Sequence, residues 1–280
     1  MTSRGIGAVV LALAAVAWPG VVAKSAATKR TVYLAATDAK GAPVTDLTAA
    51  DLAVKEDGKD REIVSLEAAT APMDVAILVD DNGSGGYQAG VFQFIQALAG
   101  HAKFSISLFT PQVSKIVDYT DEVPALQAAL DRIGRRGKVD GEGDQLVEAI
   151  DATARGLLQR KSERPVILVL TISGGGQARD QDLVMKQLAA SGAVLCAIFL
   201  SAGDIGQVIG DGPKQTGGII ERIGGGNGIP PAITKITGML MHQYVLTYAL
   251  PDGVKPNEKF NVATKRKGVS LIAPTRIPEK

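Results

Sequence analysis

The chain has 280 residues, of which 46% are apolar and 21% charged, and its formal net charge is +1. That balance is globular, and it gives no electrostatic basis for binding nucleic acid. Cys196 is the single cysteine, so an internal disulfide is excluded, and two histidines, His101 and His242, cannot build a zinc cluster.

Residues 1–27 read as a secretory signal. Arg4 supplies the positive end, residues 6–17 the apolar region, and the small residues at 21–23 or 25–27 the cleavage site. Export to the periplasm or the extracellular space is the expectation. The uncharged stretch 5–23 is just long enough to span a bilayer, so an uncleaved anchor is the alternative, and only that alternative implies membrane contact. Pro19 and the alanine richness favour cleavage.

Residues 28–68 read as a small β module. Short strands are expected at 31–36, 52–54 and 62–66, the last two joined by an Asp57-Gly58 hairpin turn. Such a module is too small to be stable alone. It must pack on the main domain or pair with the last strands. Residues 68–72 form the linker.

From 73 to 250 strands and helices alternate, which predicts an α/β fold: a doubly wound, mostly parallel six-stranded sheet with helices on both faces. The expected strands are 75–79, 104–109, 113–118, 166–172, 194–200 and 243–250. The expected helices are 87–99, 123–133, 145–160, 182–191 and 231–241, with Val91, Phe94, Ile95 and Leu98 on one face of the first. Asp144 is placed to cap the third. Residues 202–228 are glycine-rich and suit a partner-facing rim. Cys196 lies in an apolar run and reads as a small core residue. Residues 251–280 form a closing hairpin and tail. In that hairpin 260–264 pairs with 269–272 around a basic turn, Lys265-Arg266-Lys267-Gly268, which reads as a solvated tip rather than a site for anionic lipid or polysaccharide.

The informative stretch is 73–86, MDVAILVDDNGSGG. An apolar strand ends in two acids, and a glycine turn leads into a helix. In open α/β sheets ligands sit outside this end of the strands. Asp80, Asp81, Asn82 and Ser84 would crowd one crevice with oxygen atoms, which suit a hard cation such as Mg²⁺ or Ca²⁺. The alternative is a set of acids hydrogen-bonded to the glycine loops. Ser173-Gly174-Gly175-Gly176 either cradles an anion or is a plain turn.

Other chemistry fits poorly. Gly83 and Gly85 match a dinucleotide fingerprint, but Gln88 stands where its third glycine belongs, and no P-loop occurs. Ser84 with His242 follows the chain order of a serine hydrolase. Asn82 replaces the first glycine of the nucleophile elbow, however, and Asp80 would oppose an oxyanion. The chain is therefore read as not an enzyme, with no small-molecule substrate.

The 73–86 stretch resembles the start of a von Willebrand factor type A domain. That family carries Asp-x-Ser-x-Ser after its first strand, as part of a metal-ion-dependent adhesion site. Residues 44–66, VTDLTAADLAVKEDGKDREIVSL, look like the segment before the domain in the secreted VWFA-related proteins typical of Acidobacteria. HQYVLTYALPDG and KFNVATKRKGVSLIA are similar to their closing strands. The resemblance covers roughly residues 30–273. Asp80 and Ser84 keep the motif, Asn82 replaces its first Ser, Asp144 falls on its Thr, and Gly174 falls on its second Asp. The resemblance thus implies a degenerate adhesion site with Asp80, Asn82, Ser84 and Asp144 as cation ligands. It implies a binding module for a protein partner. A metal-independent interaction protein of the cell envelope is the alternative.

Overall fold

The computed structural model describes residues 28–81, 83–134, 145–172, 174, 180–201 and 203–279. The expected signal segment lies outside these residues. In chain order the strands and helices are β1 (Thr28–Asp38), β2 (Leu52–Glu56), β3 (Lys59–Ala68), β4 (Met73–Val79), α1 (Gln88–Ala97), β5 (Ala102–Leu108), β6 (Ser114–Thr120), α2 (Val123–Leu130) and α3 (Gln145–Arg160). They continue as β7 (Pro165–Thr171), α4 (Gln181–Ser191), β8 (Val194–Phe199), α5 (Gln207–Thr216), β9 (Ile220–Arg222), α6 (Ile229–Met241), β10 (Tyr244–Leu250), β11 (Phe260–Thr264) and β12 (Val269–Ile272).

Burial sorts the strands into two sheets. β4, β7 and β8 are near-continuous apolar runs buried on both faces, as parallel strands covered by helices are. They lie in a sheet of order β6-β5-β4-β7-β8-β9, parallel except for β6 at one edge. Helices α1, α2 and α6 bury Phe94, Leu126 and Ile236 against one face. Helices α3, α4 and α5 bury Ile150, Leu188 and Ile209 against the other. This is the expected doubly wound α/β architecture. The strand order reverses between β4 and β7, so the tip of β4 lies at the switch point where such sheets form a crevice.

The sixth strand of this sheet is not the expected one. β9, inside the glycine-rich stretch, takes the edge beside β8. A side chain at Gly218 would put its Cβ 1.9 Å from the Leu195 carbonyl oxygen, so glycine lets the chain approach β8 there. Residues 243–250 join the other sheet as β10. Their burial alternates, with Tyr244, Leu246, Tyr248 and Leu250 inward, the pattern of a half-buried antiparallel strand.

The second sheet has the order β11-β2-β3-β10-β1-β12, and every neighbouring pair is antiparallel. Its two edges meet where Lys259 pairs with Arg276 and the Phe260 amide donates to the Thr275 carbonyl at 3.0 Å. The sheet thereby curls into a barrel-like ring, which removes its exposed edges. The Asp57-Gly58 turn joins β2 to β3 as expected. The closing hairpin is not formed: β11 pairs with β2, and β12 pairs with β1. Residues 265–268 between them are solvent-exposed, as expected, and Arg266 makes a forked pair there with Asp46 at 2.6 and 3.0 Å.

Inside the barrel, β1 points Arg30 inward along with Val32 and Leu34. Its guanidinium meets Glu56 at 2.8 Å, and both residues are buried. Tyr248 donates to the same carboxylate, as does the Asn257 amide at 2.7 Å.

Arg164, just before β7, joins the two lobes. It is 4% exposed and donates to the carbonyls of Ala71, at 3.2 Å, and of Leu240, and to the Gln243 side chain at 3.0 Å. The ring of Tyr33 lies 5.5 Å away. The barrel is thus fastened to the amino-terminal end of the central sheet, opposite the tip of β4.

Candidate functional site at the carboxyl end of the central sheet

Asp80 and Asp81 follow β4, and both are buried, at 3% and 2% exposure. The Thr110 hydroxyl donates to Oδ1 of Asp80. The Thr171 hydroxyl donates to Oδ2 at 3.3 Å, and the Ile172 amide to the same oxygen at 3.1 Å. Strand register explains these partners. Val79 lies beside Leu108 on one side and Leu170 on the other, so the residues just beyond converge on Asp80. One carboxylate therefore ties three adjacent strand ends together, as buried charge requires.

Asp81 points toward α2. Its Oδ1 accepts from the amides of Gly83, at 3.2 Å, and Gly134, at 3.0 Å. Gly134 has φ +82°, and a Cβ there would lie 2.5 Å from the Gly85 Cα. Both the backbone conformation and the close approach demand glycine. Oδ2 of Asp81 is buried without a hydrogen-bond partner, as is the Tyr87 hydroxyl. Burial, and then the nearby Asp80, push the Tyr87 phenol well above its ordinary pKa.

Ser84 is exposed, and its Oγ accepts from the Gly86 amide at 3.2 Å. Gly174 packs against the following loop. Its carbonyl accepts from the Gly206 amide at 2.9 Å, and a Cβ would fall 2.1 Å from the Asp204 carbonyl oxygen. An acid has no room at that position. Asn82, Asp144, Gly175 and Gly176 lie outside the described residues.

Of the four cation ligands that the resemblance implies, Asn82 and Asp144 lie outside the described residues, and only Asp80 and Ser84 are placed. Mg²⁺ or Ca²⁺ takes at least about six oxygen ligands. Both oxygens of Asp80 already accept protein hydrogen bonds, and Ser84 is turned into its own loop. Among the described residues, no three His, Cys, Asp or Glu side chains are grouped to hold a metal ion.

Ser84 and His242 do not meet. His242 closes the carboxyl end of α6, with Nδ1 2.8 Å from the Gly238 carbonyl. Its neighbour Gln243 binds Arg164 at the amino end of the sheet, whereas Ser84 lies beyond the carboxyl end. No nucleophile–base pair exists between them.

Sequence reasoning missed Thr110, Thr171 and Gly134. The signal for Thr171 was present: it ends an apolar run that aligns with β4 when the strands are set parallel. Thr110 and Gly134 carry no comparable mark.

No protein-family model and no curated protein sequence matches this chain. Solved structures do match. A von Willebrand factor type A protein from Catenulispora acidiphila is similar at TM-score 0.50 and 10% identity, over 91% of this chain and 75% of that one. The PilB minor pilin from Streptococcus sanguinis gives TM-score 0.42 and 10% identity, over 62% of each chain. An aerotolerance-related membrane protein from Bacteroides fragilis gives 0.42 and 15%, over 59% of this chain and 98% of that one. The likeness is one of fold, and the fold it identifies is that of a von Willebrand factor type A domain, a Rossmann-like doubly wound sheet.

Proposed function

We propose that this protein is an exported binding module that presents the carboxyl-terminal rim of its central sheet to a protein partner, without a bridging cation. One observation carries the reading: among the described residues the barrel leaves the switch-point rim uncovered, because it is fastened to the other end of the sheet through Arg164. The rim offers a mixed surface around the buried acids. Ile172 is 42% exposed beside Asp80, and Ser84 and Asp204 are exposed nearby. A solvent-facing aliphatic side chain ringed by polar groups suits a protein contact. Asp80 and Asp81 act beneath this surface by holding the loops in place. Among the described residues no helix is long and apolar enough to cross a membrane.

The test is site-specific photocrosslinking in cells that make the protein. A crosslinker at Ser84 or Asp204 is expected to trap a discrete protein adduct, and Ile172→Lys is expected to abolish it. The same probe at Val254, exposed on the barrel, serves as control. Equal adducts at both ends, or none at the rim, overturn the reading.

A second reading keeps the cation, and the unpartnered Oδ2 of Asp81 favours it. There Asp80, Asn82, Ser84 and Asp144 complete a site with Mg²⁺ or Ca²⁺. Calorimetric titration separates the two. Saturable uptake of either ion, with adducts lost in chelator, supports the second; no heat, with adducts unchanged, supports the first.

A further inference from the structure

The two acids after β4 lack a counter-charge. Asp80 and Asp81 are adjacent in the chain and both are buried. Their described partners are hydroxyls and backbone amides, which are neutral donors. Among the described residues no lysine, arginine or histidine forms an ion pair with either. Buried charge is ordinarily paired or bound to a metal. Two polar atoms are left over beside them. Oδ2 of Asp81 and the Tyr87 hydroxyl are buried without a hydrogen-bond partner. Burial first, and then the charge on Asp80, push up the pKa of that phenol, so it sits within the field of the same acids. A carboxylate oxygen and a phenol oxygen can both accept from the N–H groups of a cation.

The surface around these acids has the same sign. Helices α4 and α5 start side by side at this end of the sheet. There the Asp182 carboxylate accepts from the Gln207 side chain at 3.1 Å, and the Gln181 side chain from the Val208 amide at 3.3 Å. Asp180 and Asp204 stand exposed just before the two helices. Neither carboxylate has a hydrogen-bond or ion-pair partner among the described residues, and Asp180 does not cap α4. Arg222 reaches the second loop but is engaged with the Gly203 carbonyl, at 3.3 Å, and the Phe199 ring. The stretches outside the described residues do not reverse the sign. Residues 135–144 carry three basic and three acidic side chains, and 175–179 carry one arginine.

Apolar side chains lie among the acids. Ile172 follows β7, and Leu183 is in the first turn of α4; both are solvent-exposed. A cation on a long aliphatic stem matches the two features together. Its methylenes cover apolar surface while its charged head meets a carboxylate. Complementary charge also speeds the encounter and excludes partners of the wrong sign. An acidic partner would need a bridging cation at this place.

Given that the rim is the docking face, we propose that its partner is a basic protein segment. Its lysine or arginine side chains supply the counter-charge for Asp80 and Asp81 and pack on Ile172 and Leu183.

The probe is hexalysine, followed by amide NMR on the intact protein, with hexaglutamate as the control of opposite charge. Hexalysine is expected to shift the amides of Ser84, Ile172 and Leu183 in a saturable way, more weakly at physiological salt than at low salt. Hexaglutamate is expected to leave them in place. Asp204→Lys reverses an exposed charge and is expected to weaken binding about threefold. Asp81→Asn removes a buried charge but keeps an acceptor for the Gly83 and Gly134 amides, and is expected to weaken binding about tenfold. Asp60→Lys, exposed on the barrel, is expected to change nothing at the rim. In cells, the peptide trapped by a crosslinker at Ser84 is expected to carry lysine or arginine. No saturable shift, equal shifts with hexaglutamate, binding unweakened in either folded variant, or a trapped peptide without basic residues would overturn this proposal while rim adducts still uphold the docking face. Loss of rim adducts altogether would remove both. If Asp81→Asn fails to fold, Asp204→Lys alone decides.

Discussion

Removing the Asp80 carboxylate should loosen the fold itself. Asp80→Ala leaves three buried donors facing an empty space: the hydroxyls of Thr110 and Thr171, and the Ile172 amide. An unsatisfied buried donor costs about 1–3 kcal/mol. The hydroxyls can rotate toward other acceptors, but the amide cannot, so the sum falls near 3 kcal/mol. That is a large share of the roughly 5–15 kcal/mol by which a domain is stable. Asp80→Asn keeps the shape and one acceptor and should cost about 1 kcal/mol. Urea unfolding by circular dichroism measures both, as a fall in midpoint at constant slope. Adding Thr171→Val to Asp80→Ala should cost less than Thr171→Val does alone, because the bond is already gone. If Asp80→Ala lies within about 0.5 kcal/mol of the parent, the range of ordinary surface substitutions, the carboxylate is not holding the strand ends. A binding defect in Asp80→Ala would accordingly report loop geometry as well as contact, which is why the exposed rim residues test recognition better.

Three further expectations follow from the barrel and the core. Arg30→Met and Glu56→Gln, each breaking a buried pair, should cost about 3–5 kcal/mol singly. The double variant should cost clearly less than their sum; strict additivity in urea unfolding would show that the pair is not coupled. Burial pushes the Cys196 thiol up to about 12, so a thiol reagent at pH 8 should label it only at the rate of global unfolding, and rapid labelling of the folded protein would contradict its place in the core. The Arg266 guanidinium holds Asp46 below the usual carboxylate range, and the Thr48 amide does the same for Asp51. A lowered folded pKa stabilises above the unfolded value near 3.8 and is lost as pH falls through the folded one. Melting temperature should therefore drop below about pH 4, less steeply in Arg266→Gln; parallel curves for the two proteins would refute the assignment to Asp46.

Local pattern was enough for most of the central sheet. Short unbroken apolar runs at β4, β7 and β8, bounded by turn residues, read as strands buried on both faces, and the spacing of Val91, Phe94, Ile95 and Leu98 puts one stripe of α1 inward. The glycine turn after Asp81 marked the ligand-facing corner for the same reason: chain direction and alternation of elements place it there. Pairing between distant segments was a different matter. The expectation that residues 243–250 extend the central sheet failed because a strand sequence states how deeply it is buried, not which neighbour buries it. The alternating inward residues of β10 already argued against a site covered on both faces. β11 and β12 are separated by a short turn, which suggests a hairpin, yet each finds an open edge of β2 or β1, and the barrel closes only through those non-local bonds. The deepest gap concerns Asp80. Its position was legible from residues 73–86, but its bonding was not. Whether a carboxylate faces a guest or ties its own scaffold depends on which hydroxyls the neighbouring strands bring alongside. That is settled by register across three strand ends more than 25 residues apart in the chain, and no local pattern of residues encodes it.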